Sequence, residues 1–255
     1  GHSLTPYSRT RHPLQPMPKE RERDRMSVKK LTVLYENAEI LVINKPVGLA
    51  VQGGRKIVHS VDSILAQQTS TKMFPVHRLD KDTAGILVVA KSAAAASLWT
   101  KLLSSALVKK EYFALTGSIS NGKNSVPSSF TLPNGTFCGA IDINRQTKPA
   151  VTHYSVEKSA LSVTAKAVFN MVRLMLGTGR MHQIRIHLAQ SGNPVLADDK
   201  YGDFLLNKEV KHTFSVRKLQ LAAVRLTVPL NGNERVFEIP LPKHIAEAVG
   251  AIFSS

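Results

Sequence analysis

Short runs of β-branched and aliphatic residues, each shut off by glycine, proline or asparagine, recur along this chain. They leave little room for any architecture but a sheet. LTVLYE (31–36) and ILVINKP (40–46) open the series, and Pro46 and Gly48 turn the chain. GILVVAK (85–91), LVKKEYFALTG (107–117), VTHYSVEK (151–158), VTAKAVFNMVRLML (163–176) and VRLTVPL (224–230) continue it. Only four segments carry helical spacing. Ser60 to Gln68 has Ser60 as cap and Val61, Ile64 and Leu65 on one face; residues 92–106 open at Ser92, with Ala95, Leu98 and Leu102 as the inward stripe. Ile184 to Gln190, closed near Gly192 and Pro194, and Lys243 to Phe253 complete the set. The stretch from Ser118 to Lys148, rich in Gly, Asn, Ser and Pro, reads as loops with short strands between them. The expectation is an α+β domain on a large mixed, mostly antiparallel sheet with flanking helices, without solenoid or propeller repeats.

The 255 residues suffice for one sizeable core. Residues 1–30 read as a disordered basic lead-in, a tag or linker: Pro6, Pro13, Pro16 and Pro18 interrupt any helix and Lys19 to Arg25 has no apolar face. The single domain is expected over 31–255. Lys and Arg number 34 against 18 Asp and Glu, a net of +16, of which +11 lies beyond residue 30. A globular part this basic suits a partner made of phosphates. Cys138 is the only cysteine, which excludes an intrachain disulfide and cysteine-rich zinc sites and fits a reducing, cytoplasmic setting. The longest apolar stretch, Gly85 to Trp99, is broken by Lys91, so no membrane span is expected.

Three segments place polar groups where a core pattern does not ask for them. His77-Arg78-Leu79-Asp80-Lys81-Asp82 stands directly before a buried strand. Its plain reading is a solvated turn, yet a carboxylate flanked by Arg78 and Lys81 also stays ionised, as a nucleophile should. In GTGRMHQIRIHL (177–188), Arg180, His182, Arg185 and His187 interleave with apolar residues. If a helix starts near Met181, Ile184 and Leu188 face the core together, and Arg185 beside them needs a buried carboxylate partner. His182 and His187 are five apart and share a helix face poorly, so they make a weak metal pair. Gly177-Thr178-Gly179-Arg180 lacks the Lys-Ser/Thr ending of a phosphate loop. Lys110-Glu111-Tyr112 lies on a strand, where a tyrosine is more often core than chemistry.

HRLDKDTAGILVVAKS (77–92) resembles the His-Arg-Leu-Asp-x-x-Thr-Ser-Gly signature of the RluA-type pseudouridine synthases. ENAEILVINKPVGLAVQGG is similar to that family's opening strand and Asn-Lys-Pro-x-Gly turn, and KKEYFALTGS to its Lys-x-Tyr strand. LGTGRMHQIRIHLAQSGNPVLADDKYG is similar to its Thr-Gly-Arg-x-His-Gln-Ile-Arg-x-His block and the Asp-x-x-Tyr-Gly that follows. Four blocks in order, spanning about 33–242, carry the resemblance. Ala84 stands where the family usually has Ser, and Ala197 where it usually has Gly.

The resemblance implies a cofactor-free, metal-free isomerase that turns uridine in structured RNA into its C-glycoside. Asp80, Tyr112 and Arg185 are then the catalytic set: Asp80 attacks the sugar or abstracts a sugar proton, Arg185 holds Asp80 ionised and oriented, and Tyr112 stacks on the base and helps remove the C5 proton. Arg78 is expected to fill the gap left by the flipped nucleotide and Leu188 to pack against the base. His77, Arg180, His182 and Gln183 complete the expected substrate contacts. Likeness around KPVGLAVQGG favours large-subunit ribosomal RNA, with transfer RNA as the alternative, and the chain is expected to act as a monomer. Thirty residues are too few for the small N-terminal RNA-binding domain that many relatives carry. A non-catalytic RNA-binding protein with the same fold is the main rival; it would be expected to lose Asp80, Tyr112 or Arg185, and all three are present. A glycoside hydrolase would need a second carboxylate across the bond, which Asp82, two residues from Asp80, is badly placed to supply.

Overall fold

Strand-forming residues separated by turns do build one continuous sheet in the computed structural model, which describes residues 30–55, 57–119, 130–143 and 146–254. The expected lead-in falls almost wholly on residues outside that description. Among the described residues, ten strands and five helices run in the order β1 (Thr32–Glu36), β2 (Ile40–Lys45), α1 (Val61–Thr69), β3 (Phe74–Pro75), β4 (Ala84–Ala90), α2 (Ala93–Leu103), β5 (Lys109–Ile119), β6 (Asn134–Ile143), β7 (Gln146–Ser162), β8 (Ala167–Leu176), α3 (Gln183–Gln190), α4 (Phe204–Phe214), β9 (Leu221–Leu230), β10 (Asn233–Glu238) and α5 (Lys243–Phe253). The sheet order is β1-β2-β4-β9-β5-β8-β7-β6, with β10 beside β9 and β3 beside β4. Every pairing is antiparallel except β4 with β9, which run parallel over Ala84–Gly85 and Ala222–Ala223. The expected mixed, mostly antiparallel α+β sheet is thus observed.

The central strands are buried on both faces, so alternate side chains feed two cores. Val42, Val88, Phe113 and Leu115 point to one side, where α2, α4 and α5 supply Trp99, Leu206, Val210 and Ile245. Leu41, Ile43, Leu87, Tyr112 and Leu174 point to the other, where α1 supplies Val61 and Leu65 and α3 supplies Ile184 and Leu188. Gly85 lies at the parallel junction with a φ of 118°, and a Cβ there would overlap the Ala223 carbonyl. No other residue fits so close an approach.

Several details differ from the sequence reading. The described residues between Ser118 and Lys148 are less loop-rich than composition implies: Asn134–Ile143 form the 10-residue β6, which pairs with the 17-residue β7 in a ribbon exposed over most of its length. Cross-strand backbone bonds, which composition does not report, order it. In α2 the buried stripe is Ala95, Trp99 and Leu103, whereas Leu98 is 63% exposed. Trp99 also reaches Glu39 through its indole N–H at 3.0 Å, which fixes the rotation of the helix. Residues 163–166 form the turn before β8 rather than part of the strand. α4 and β10 go beyond the expectation. Asp203 caps α4 by accepting from the Leu206 N–H, and Asn231-Gly232, both at positive φ, make the tight turn from β9 into β10.

Candidate active site

A cleft of about 600 Å³ opens on the face carrying α3, where the loop before β4, the start of β5 and the segment 176–185 converge. The loop is held from below. His77 turns its ring away from solvent, and its Nε2 accepts from the Val88 N–H at 2.9 Å, filling a gap in the sheet pairing along β4. Burial, reinforced by the nearby Lys110 charge, pushes its pKa down to about 3, so the ring is neutral. Lys45 is fully buried and donates to the carbonyls of Pro46, Leu49 and Lys81 at 2.8–3.0 Å. The Lys81 carbonyl also accepts from the Gly48 N–H, so the turn at Gly48 and the residue after Asp80 are locked together. Desolvation pushes Lys45 down to about 8, with Asp82 and Asp80 opposing that shift.

Asp80 is the carboxylate that this scaffold presents to the cleft. Arg185 Nη1 lies 3.3 Å from its Oδ2 and His182 Nε2 lies 3.4 Å from its Oδ1, one cation or ring on each oxygen. Arg185 itself is 8% exposed and binds Asp198 far more tightly, Nε to Oδ2 and Nη2 to Oδ1 both at 2.7 Å. Burial works against the guanidinium charge, but the hydrogen bonds and charge of Asp198 outweigh it and raise the Arg185 pKa. Burial likewise works against ionised Asp198, yet Arg185 and the Tyr201 and Lys200 N–H groups hold its pKa below the usual value. Asp198 is the buried partner that an arginine on this apolar helix requires, and it leaves only one end of the guanidinium for Asp80.

His182 occupies the cap position of α3 at a φ of 55°, which swings its ring out of the helix and toward Asp80. Its Nδ1 is 2.9 Å from the Tyr201 hydroxyl. With the hydroxyl donating to Nδ1, Nε2 carries the proton and points it at Asp80, the tautomer that satisfies all three groups. Burial lowers the His182 pKa, with Asp80 opposing. Tyr112 sits at a bulge in the β5–β9 pairing, between Glu111 opposite Arg225 and Tyr112 opposite Ala223. Such a bulge re-aims a side chain, and this one lines the cleft. Burial first, and the Asp80 charge second, raise the Tyr112 pKa, so it is a neutral phenol at physiological pH.

The remaining expected contacts divide. Arg78 is exposed at the cleft and forms no ion pair or side-chain hydrogen bond among the described residues. Arg180 is exposed too, its Nε on the Pro149 carbonyl at 3.2 Å. Gln183 borders the cleft but is buried, and its amide is consumed by Val151, Thr152, Thr178 and the Arg180 N–H. It shapes the loop instead of offering groups to a ligand. His77 likewise spends Nε2 on β4. Leu188 is fully buried in the core under α3 and presents no surface to a base. Sequence reasoning missed Lys45, Asp198 and Tyr201. Asp198 could have been found: Arg185 on an apolar helix demands a carboxylate, and LADDKYG offers two.

A guanidinium on the Asp80 carboxylate is the pairing the sequence blocks led one to expect, and the His182 imidazole on its other oxygen goes beyond that expectation. The family model described as RNA pseudouridylate synthase matches residues 39–190, well over half of the chain. This chain belongs to the RNA pseudouridylate synthase family. The family assignment makes it an isomerase that converts uridine to pseudouridine in RNA. It is 35% identical over 225 residues to a protein named ribosomal large subunit pseudouridine synthase C from Rickettsia bellii, covering 85% of this chain and 71% of that one. Against ribosomal large subunit pseudouridine synthase D of Haemophilus influenzae it is 31% identical over 239 residues, covering 87% and 71%. In fold it is similar to human RNA pseudouridylate synthase domain containing 4, with a TM-score of 0.67 at 22% identity over 86% of this chain and 92% of that one.

Within the pseudouridylate synthase framework, the two departures sit in different surroundings. Ala84, in place of the usual Ser, is buried and opens β4 against Ala222, where a hydroxyl would gain little. Ala197, in place of the usual Gly, has a φ of 57°, a conformation that glycine adopts without strain. Among the described residues no three His, Cys, Asp or Glu side chains are grouped to hold a metal ion, and no described helix is long and apolar enough to cross a membrane.

Proposed function

We propose that this chain isomerises specific uridines of large-subunit ribosomal RNA, acting as a cytoplasmic monomer with Asp80 as the catalytic carboxylate. The observation that carries the reading is Asp80 itself, open to the cleft with one oxygen on Arg185 and the other on His182. Asp80 attacks the sugar or removes a sugar proton, the C–N glycosidic bond breaks, the uracil turns, and its C5 bonds to the sugar carbon. The C5 proton leaves and a ring nitrogen gains one, so atoms and redox state balance. Tyr112 stacks against the uracil and, held as a phenol, serves proton transfer through its hydroxyl rather than as a free phenolate. Arg78 enters the space vacated by the flipped nucleotide, and Arg180 meets phosphate. The ribosomal substrate rests on the names of the relatives and on the basic charge of the domain. The exposed free thiol of Cys138 accords with a reducing compartment. The test is to map pseudouridines in ribosomal and transfer RNA from cells with and without the gene. Loss of sites in large-subunit RNA alone supports the reading, and loss confined to transfer RNA overturns it.

A further inference from the structure

Helix α4 has one face that its own packing does not explain. Leu206 and Val210, one turn apart, are fully buried and complete its contact with the sheet. Phe204 and Leu205 nevertheless project outward, 78% and 53% exposed. An aromatic and an aliphatic side chain side by side in water lose the stabilisation that burial would give, and such pairs mark binding surfaces. Lys208 and Lys211 follow Phe204 at i+4 and i+7, and His212 follows Leu205 at i+7, so all lie on the same exposed face. The stripe runs about 10 Å along the helix axis, and Arg217 and Lys218, just after the helix, are exposed too. The two acids of α4 and its cap are occupied locally: Asp203 accepts from the Leu206 N–H, and Glu209 accepts from the Thr213 hydroxyl.

The first turn of this helix is tied to the active site. Asn207 donates to the Asp198 carbonyl at 2.8 Å and accepts from the Ala197 N–H at 2.9 Å. The segment that leads into the helix carries Tyr201, whose ring packs edge-on against His182, and Lys200, whose ammonium sits over the Tyr201 ring. Phe204 therefore lies three residues beyond Tyr201, which touches the cleft residue His182.

We infer that the outer face of α4 is a second RNA-binding surface, taking a single-stranded segment of the substrate RNA outside the nucleotide being modified. Phe204, flanked by Leu205, is the platform on which one base stacks, and Lys208 and Lys211 contact the phosphates that follow. The combination of an aromatic platform with a cationic track is the chemistry of sequence-tolerant single-strand binding. The inference rests on the family's RNA substrate. It does not depend on which RNA is modified.

The experiment compares Phe204→Ala/Leu205→Ala and Lys208→Glu/Lys211→Glu with wild type, using a transcript of bacterial large-subunit ribosomal RNA and a uridine trinucleotide as probes. The apolar double variant should bind the transcript about 5- to 100-fold more weakly. The lysine variant should flatten the salt dependence of binding, its log–log slope falling in magnitude by about 2. Both should bind the trinucleotide like wild type, melt at the wild-type temperature, and retain the wild-type single-turnover rate at saturating transcript. Transcript affinity within twofold of wild type in both variants overturns the inference. So does a wild-type dimer in sedimentation that Phe204→Ala/Leu205→Ala dissolves, because the face would then serve a second copy of the chain. Binding measured in an Asp80→Asn background separates this inference from the substrate reading. If wild type makes no pseudouridine in the transcript, the substrate reading fails while the binding comparison still decides the role of α4.

Discussion

At the scale of single residues, the site works by unequal sharing. Arg185 gives two short bonds to Asp198 and one longer contact to Asp80, so the Asp80 carboxylate is oriented without being clamped. Asp80→Asn should abolish pseudouridine formation while leaving the fold and RNA binding intact; turnover within tenfold of wild type, measured by tritium release from C5-labelled RNA, would remove Asp80 from its role. The two arginines should behave differently. Arg185→Ala leaves Asp198 buried and unpaired, at a cost of about 3–5 kcal/mol of stability, and should impair folded and unstructured substrates alike. Lysine should restore it only in part, since a point charge cannot replace a two-pronged contact. Arg78→Ala should spare stability and impair a structured substrate far more than one whose target uridine is already unstacked. Single-turnover rates on both RNAs, with urea melts, distinguish these patterns from a shared role. His77 gives a pH signature. Its folded pKa lies near 3, below about 6.5 for an unfolded histidine. Its contribution to stability is therefore complete above pH 6.5 and declines as pH falls toward 3, where the unfolded chain takes a proton that the folded one refuses. His77→Gln keeps an acceptor for the Val88 N–H but does not titrate, so its stability should fall less steeply across that window. Parallel curves for the two proteins would show that His77 does not titrate as its burial implies.

Among the elements, what matters is how turns aim side chains that helices and strands then hold. α3 starts only after a left-handed residue, and that residue is His182; a helix begun one turn earlier would carry the ring away from Asp80. The bulge opposite Tyr112 performs the same service in a strand. The turn into Asp198 shows the opposite balance, because Ala197 sits at positive φ where glycine would not be strained. A left-handed alanine is disfavoured by roughly 1–2 kcal/mol, and the added flexibility of an unfolded glycine offsets part of the gain. Ala197→Gly should stabilise the protein by about 0.5–1 kcal/mol, read as a higher urea midpoint with an unchanged slope. A lower midpoint would mean that the alanine methyl packs better than the backbone strain suggests.

For the molecule as a whole, one sheet buried on both faces divides the labour. Three helices cover the side of Phe113 and Leu115, and two cover the side that holds the cleft. The acid–arginine contact closes a separation of 105 residues. An isomerisation that changes neither redox state nor atom count should keep its activity after exhaustive dialysis against a chelator, provided the RNA is refolded separately with its own ions. Activity lost on dialysis and restored by one divalent metal would reveal a ligand set outside the described residues.

Sequence alone determined whatever depends on local chemistry. The β-branched runs specified strands, Ser92 marked a helix start, and four ordered motifs placed the chain in its family. It went wrong where the deciding partner is distant. Leu98 and Trp99 are adjacent and both apolar, and only the bond from Trp99 to Glu39 settles which one turns inward. β6 looks like a loop because its residues bury little, and cross-strand backbone bonds to β7 order it regardless of side chain. Leu188 and Gln183 stand in the motif beside true cleft residues, yet the core and the 178–180 loop absorb them. The α4 surface has a sequence signal in Asp203 followed by Leu206 and Val210, but its meaning is tertiary. Only packing shows that these two residues already satisfy the helix and leave Phe204 exposed among the described residues.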